Sequence, residues 1–184
     1  MAHIALRVGL PGIRGLLAFR PETAAPMSGL AQILLYDDNS LSRSDRELIG
    51  TYVSSLNDCY YCATSHGAIA ACQLGDEDVV EQVKRDYRAA PISEKLKALL
   101  AIAGKVQRGG KKVLAEDVER ARAEGASDIE IHDAVLIAAA FCMFNRYVDG
   151  LGTWAPDDVN SYRERAAGVA ANGYAGLPAL LAHK

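Results

Sequence analysis

Nowhere along this chain do apolar and polar residues alternate with period two for long enough to make a strand; its periodic segments carry helical spacing instead. Alanine and leucine dominate those segments, and glycine clusters fall between them. The pattern predicts an all-α fold. With 184 residues, half of them hydrophobic, the chain can bury one full core, and it reads as a single domain over 1–184.

Helix signals divide it further. A short helix is expected after Pro11, and a second over about 22–36, with Pro26 tolerated in its first turn. Ser42 or Ser44 caps a third, which carries Leu48, Ile49, Tyr52, Val53 and Leu56 on one face. Asn57 interrupts it. Asn57 or Asp58 then caps a helix that runs to Leu74 and stops at Gly75, which puts Cys59 in the first turn and Cys62 in the second. Further helices are expected from Ser93 to about Gln107 and over 116–124, ending at Gly125. Ser127 and Glu130 form a capping-box pattern that opens a long helix to Asp149, closed by Gly150. Its residues 134–144 are apolar on all sides, which places it at the centre of the fold or at a subunit interface. A last helix covers about 157–170, and the Gly- and Ala-rich stretch at about 171–184 reads as a loose arm.

Charge and composition exclude several classes of partner. The net charge is −3 and the one basic block is the pair Lys111-Lys112, which gives no footprint for nucleic acid or an anionic membrane. The longest apolar run, Ala134 to Phe144, is far short of the ~20 residues that cross a bilayer. Pro11, Arg14 and Arg20 break up the apolar stretch near the amino end, so no export signal is read and a cytoplasmic setting is expected. In a reducing compartment a core of this size needs no disulfide staples. Cys72 and Cys142, set among small and apolar residues, are expected to be inert core thiols.

The chemistry-bearing stretch is 57–66, Asn-Asp-Cys-Tyr-Tyr-Cys-Ala-Thr-Ser-His. Cys59, Cys62 and His66 fall at i, i+3 and i+7, so both sulfurs and the imidazole share a helix face. Near a helix N-terminus the unpaired N–H groups favour a thiolate, and His66, one turn beyond Cys62, can accept its proton. Cys62 is therefore the nucleophile candidate and Cys59 the resolving thiol. Glu47 lies ten residues before the break at Asn57, and His66 nine after it. Two helices folded back at that point would bring carboxylate and imidazole to the same height. Singly each residue has a plainer role: Glu47 as the capping-box partner of Ser44, His66 as a core histidine, Tyr60 and Tyr61 as packing residues.

In combination, Glu47, Cys59-x-x-Cys62 and His66 resemble the active-site pattern of the AhpD-like superfamily. This includes alkylhydroperoxidase D and the peroxidase-related branch of the carboxymuconolactone decarboxylase family. The stretch 41–49, the tract Asn57-x-Cys-x-Tyr-Cys, and the later Asn145-Arg146 and Asp149-Gly150 are similar to that branch, so the likeness runs from about 41 to 152. The resemblance implies an all-helical AhpD-like domain, assembled as trimers or hexamers, with its active-site helix pair at about 42–74. It also implies peroxide reduction by a dithiol without a cofactor: Cys62 attacks, Cys59 resolves, and Glu47 with His66 relays protons. The reductant would be a thiol or dithiol, and in alkylhydroperoxidase D it is a lipoylated protein. One position departs from that enzyme, which has a second histidine where this chain has Tyr61. With a pKa of about 10, tyrosine is a poor proton shuttle at neutral pH. Decarboxylase members generally lack the cysteine pair.

Two other readings compete. Cys59, Cys62 and His66 could ligate a metal, with Glu47 or water as the fourth ligand. The chain could also be a non-enzymatic helical oligomer whose thiols are merely redox-sensitive.

Overall fold

In a computed structural model, which describes residues 2–7 and 9–176, every regular element is helical. Among the described residues the α-helices are α1 (Ile13–Phe19), α2 (Ala24–Leu35), α3 (Arg43–Leu56), α4 (Tyr60–Leu74), α5 (Glu77–Asp86), α6 (Glu94–Arg108), α7 (Ala115–Ala123), α8 (Asp128–Gly150) and α9 (Val159–Asn172). The all-α reading holds.

Side-chain caps set several of the starts. The hydroxyls of Ser42, Ser93 and Ser127 accept from the backbone N–H of Asp45, Leu96 and Glu130 at 3.1, 3.1 and 3.3 Å. Glu130 Oε2 accepts in return from the Ser127 N–H at 2.7 Å, which completes the expected box. Ser42 rather than Ser44 is the cap of α3, so Glu47 is not a capping residue. Helix α5 was not foreseen: Val79, Val80 and Val83 are its whole apolar content, too sparse for a periodic signal. Asp76 caps it, and Val80 and Val83 are buried. The long helix α8 runs through Gly150, and the turn falls at Gly152 instead.

The reversal between α3 and α4 differs in one respect that matters for the site. Asp58 takes a left-handed conformation (φ 56°), its N–H donates to Ser55 O, and the Cys59 N–H donates to Ser54 O at 3.0 Å. That is the Schellman arrangement with aspartate in the position usually taken by glycine. It carries the chain one residue further before α4 begins, so Cys59 is the N-cap and Cys62 lies in the first turn, not the second. Side chains pin this turn to its neighbours: Asn57 Nδ2 donates to Asn145 Oδ1 on α8 (2.8 Å), and Gln107 Nε2 on α6 donates to Asn57 Oδ1 (2.9 Å).

Helices α3, α6 and α8 form the centre. Leu48, Ile49 and Val53 of α3, Leu99, Leu100 and Ile102 of α6, and Ile137 and Phe141 of α8 are buried in one cluster. Helix α8 has the length and hydropathy to cross a membrane, but 56% of its most apolar window is buried inside this fold. It also carries Glu130, paired with Lys95 Nζ at 2.9 Å, and Asp133, which accepts from Asn39. It is therefore the central helix of a helical core. Of the two cysteines expected to be inert core thiols, Cys72 is exposed, because it faces outward near the end of α4; Cys142 is half-buried beside Asn57 Nδ2. Residues 171–176 are no loose arm: α9 continues to Asn172 and Tyr174 is buried. Residues 177–184 of the expected arm lie outside the described residues.

Candidate active site

Helices α3 and α4 pack against each other along their lengths. The reversal at Asp58 brings Glu47 Oε2 to 2.7 Å from His66 Nδ1. Glu47 is 1% exposed, so its carboxyl group depends on protein partners. The second partner is the Tyr174 hydroxyl, which donates to Oε1 at 2.5 Å. An ionised Glu47 accepts from both, which puts the His66 proton on Nδ1 and leaves a lone pair on Nε2. Burial, and then the neighbouring Glu47 carboxyl, push the Tyr174 phenol well above its ordinary range, so it stays a donor at neutral pH. The imidazole is further fixed edge-on to the Phe141 ring, with centroids 4.6 Å apart.

Cys62 and His66 line one small cavity of about 50 Å³, walled by Ile69, Phe144 and other mostly apolar side chains. Two hydroxyls line it as well. Ser28 Oγ and Ser65 Oγ are buried there with no hydrogen-bond partner among the described residues. An unpartnered buried hydroxyl is costly, so the pair is available to whatever polar group enters. Cys59 does not reach this space. It is 0% exposed, and its thiol is held far above the ordinary range, first by its interaction with the Cys62 sulfur and then by burial; Asp149 also acts on it. Cys59 therefore remains an S–H group next to Cys62 at neutral pH. Cys62, at the third position of α4, sits among the unpaired N–H groups of the helix start.

The structure thus brings together the four residues singled out from the sequence: Glu47 with His66, His66 with Cys62 on one cavity, and Cys62 with Cys59 behind it. Among the described residues no three His, Cys, Asp or Glu side chains are grouped so that they could hold a metal ion. Tyr174, Ser28 and Ser65 were missed. For Tyr174 the readable signal was the preceding glycine. Gly173 has φ 68°, and a Cβ there would lie 2.4 Å from Gln32 Oε1 and 2.7 Å from the Tyr36 ring. Gln32 Oε1 accepts from the N–H groups of Tyr174 (2.7 Å) and Ala175 (3.0 Å), which fastens the segment over α2.

The carboxymuconolactone decarboxylase family matches residues 21–84, a stretch that contains Glu47, both cysteines of the motif and His66. Among solved structures, a peroxidase-related protein from Ralstonia eutropha, described as an alkylhydroperoxidase AhpD core, is 30% identical. The match has a TM-score of 0.76 and covers 83% of this chain and 81% of that one. The chain belongs to the AhpD-like carboxymuconolactone decarboxylase superfamily. A second neighbour, a peroxidase-related protein from a Silicibacter species, is 28% identical with a TM-score of 0.76 over 83% of this chain and 78% of that one. A protein of unknown function from Agrobacterium tumefaciens, 21% identical, shares the fold with a TM-score of 0.68 over 84% of this chain and all of that one. No curated protein matches. Against the AhpD-like pattern, Tyr61 is the departure. Its hydroxyl accepts from Arg165 Nη1 at 3.0 Å and its ring tilts against Tyr162 at 6.0 Å, so its polar end is engaged with α9 rather than with Glu47 and His66.

Proposed function

We propose that this chain is a dithiol peroxidase in which Cys62 and Cys59 reduce a hydroperoxide. One arrangement carries the reading: Cys62 faces the same small cavity as His66, His66 is held by the buried Glu47, and the protonated Cys59 lies against Cys62. In the reaction His66 Nε2 takes the Cys62 proton and the thiolate attacks one peroxide oxygen. The O–O bond breaks as the S–O bond forms, and the sulfur gives up two electrons. The leaving alkoxide takes the proton from the imidazolium and departs as an alcohol. The Cys59 sulfur then displaces hydroxide from the Cys62 sulfenic acid; its own proton and that hydroxide leave as water, and the disulfide closes. A thiol or dithiol reductant, of which a lipoylated protein is one form, returns both sulfurs to thiols. A cytoplasmic thiol pool suits that last step.

The test is a single turnover without reductant. Fully reduced protein receives one equivalent of an organic hydroperoxide, thiols are trapped over time, and products are mapped by mass spectrometry. A Cys59–Cys62 disulfide formed with one equivalent of alcohol, and lost in Cys62→Ser, is expected. Undiminished peroxide consumption by Cys62→Ser would overturn the assignment.

We also propose that the chain assembles with copies of itself as a trimer or hexamer. Leu136 and Met143, seven residues apart with exposed Ala139 between them, leave an apolar strip on the solvent-facing side of α8. Light scattering at micromolar concentration should show the assembly, and a monomer there would contradict it.

A further inference from the structure

The wall of the Cys62 cavity has a second side. Tyr61, Arg165 and Tyr174 line that cavity and also an outer, open one of about 650 Å³. Spaces of roughly 300–1,000 Å³ take small organic molecules. The cations of the outer cavity are Arg14, from α1, and Arg165, from α9. Neither forms an ion pair with a carboxylate among the described residues. Arg14 Nε is buried without a hydrogen-bond partner, and Arg165 spends one N–H on the Tyr61 hydroxyl. Glu164 also lines this space and bonds to neither guanidinium. Burial and then the charge of Arg165 press the Arg14 pKa down, so the two cations act on one another. An anion placed there would relieve that repulsion and fill the open donors.

The size of the inner space limits what can be attached to that anion. At about 50 Å³ it admits little beyond a group the size of a water molecule or two, such as a peroxide end. The bulk of a substrate must stay in the outer cavity. Arg165 lines both spaces, so one of the two cations stands on the same inner cavity as Cys62.

We propose that Arg14 and Arg165 bind the carboxylate of a compact organic hydroperoxide, whose peroxide end reaches Cys62 past Tyr61 and Tyr174. This assignment rests on the peroxidase reading and names the substrate class for it.

The test compares para-carboxycumene hydroperoxide with its methyl ester, which differ in the charge and keep the peroxide. The readout is the rate of Cys62 oxidation in reduced protein with no reductant present. At low salt the acid should react at least tenfold faster than the ester, and added salt should bring the two rates together. Arg14→Gln, which leaves the hydrogen bond from Arg165 to Tyr61 in place, should lower the ratio to near one; Arg165→Gln should do the same. In a separate arm the product alcohol bearing the carboxylate should slow alkylation of Cys62 by iodoacetamide in the native protein, and not in Arg14→Gln. Equal oxidation by acid and ester would overturn the anion site and leave the peroxidase reading standing. A charge preference seen only when the disulfide is reduced by acidic and neutral thiols would also overturn the proposal, by giving the anchor to the reductant. Carboxylate-dependent protection of a Cys62 that neither peroxide oxidises would remove the peroxidase reading, and the substrate class with it.

Discussion

The Tyr174 hydroxyl lies 2.5 Å from Glu47 Oε1 and joins a carboxylate on the third helix to a tyrosine 127 residues later. His66 occupies the other oxygen, so a buried charge is met on both sides by groups from two distant parts of the chain. The Glu47–His66 pair read from α3 and α4 alone thus gains a third member from the segment after α9.

Tyr174→Phe removes one of those two donors and leaves a buried carboxylate oxygen unmet. The cost should be about 1–3 kcal/mol of stability. Turnover should fall roughly tenfold, which corresponds to about 1.4 kcal/mol. Chemical unfolding and single-turnover rates check both; an unchanged rate beside a loss of stability would mean that Tyr174 only packs.

Alkaline pH should weaken the fold through the same phenol. Folded Tyr174 holds its proton more tightly than an unfolded tyrosine, whose value is near 10. Its contribution is therefore complete below that value and is lost as pH rises toward and through the raised one. Thermal unfolding from pH 8 to 11 should show a decline that is smaller in Tyr174→Phe than in the native protein.

Thiol accessibility should order the alkylation rates. Exposed Cys72 should label first, cavity-facing Cys62 more slowly, and Cys59 last, since it is sealed and held protonated. In Cys59→Ser, peroxide should leave Cys62 as a sulfenic acid that dimedone captures. Capture at Cys72 instead of Cys62 would relocate the reactive thiol.

Gly50→Ala probes the packing behind the imidazole. A Cβ on Gly50 would lie 2.3 to 2.8 Å from three atoms of the Phe141 ring, which itself holds His66 edge-on. Overpacking of this kind costs about 1–3 kcal/mol, and the gain in helix propensity of about 1 kcal/mol returns only part of it. Destabilisation together with slower Cys62 oxidation is expected, from denaturant titration and stopped-flow kinetics; full activity would show that Phe141 does not position His66.

What the sequence revealed was local. Serine caps and the equal heights of Glu47 and His66 follow from helical rise and a single reversal, and the structure contains both; of the i, i+3, i+7 set, Cys62 and His66 share one cavity, whereas Cys59 is the N-cap and lies off it. What it concealed depended on contacts across the fold. The start of α4 moved by one residue because Asp58 adopted a left-handed turn that asparagine and aspartate tolerate but do not announce. Ser28 and Ser65 became cavity donors because α2 and α4 line one small space, which no spacing within either helix encodes. Tyr174 sits in a stretch of small residues that reads as a tail, and Gln32 and Glu47, both far upstream, give it a fixed place. Helix α5 is short and mostly charged, held by two valines and a cap.

The reversal at Asp58 has a consequence for how far this chain can vary in length. One residue added between Glu47 and Asp58 would turn the carboxylate by about 100° around its helix and shift it by about 1.5 Å, away from His66. Adding three or four would restore the facing side but displace Glu47 by a full turn. The eleven residues between Glu47 and Cys59 act as a ruler that insertions and deletions cannot cross without parting acid from base.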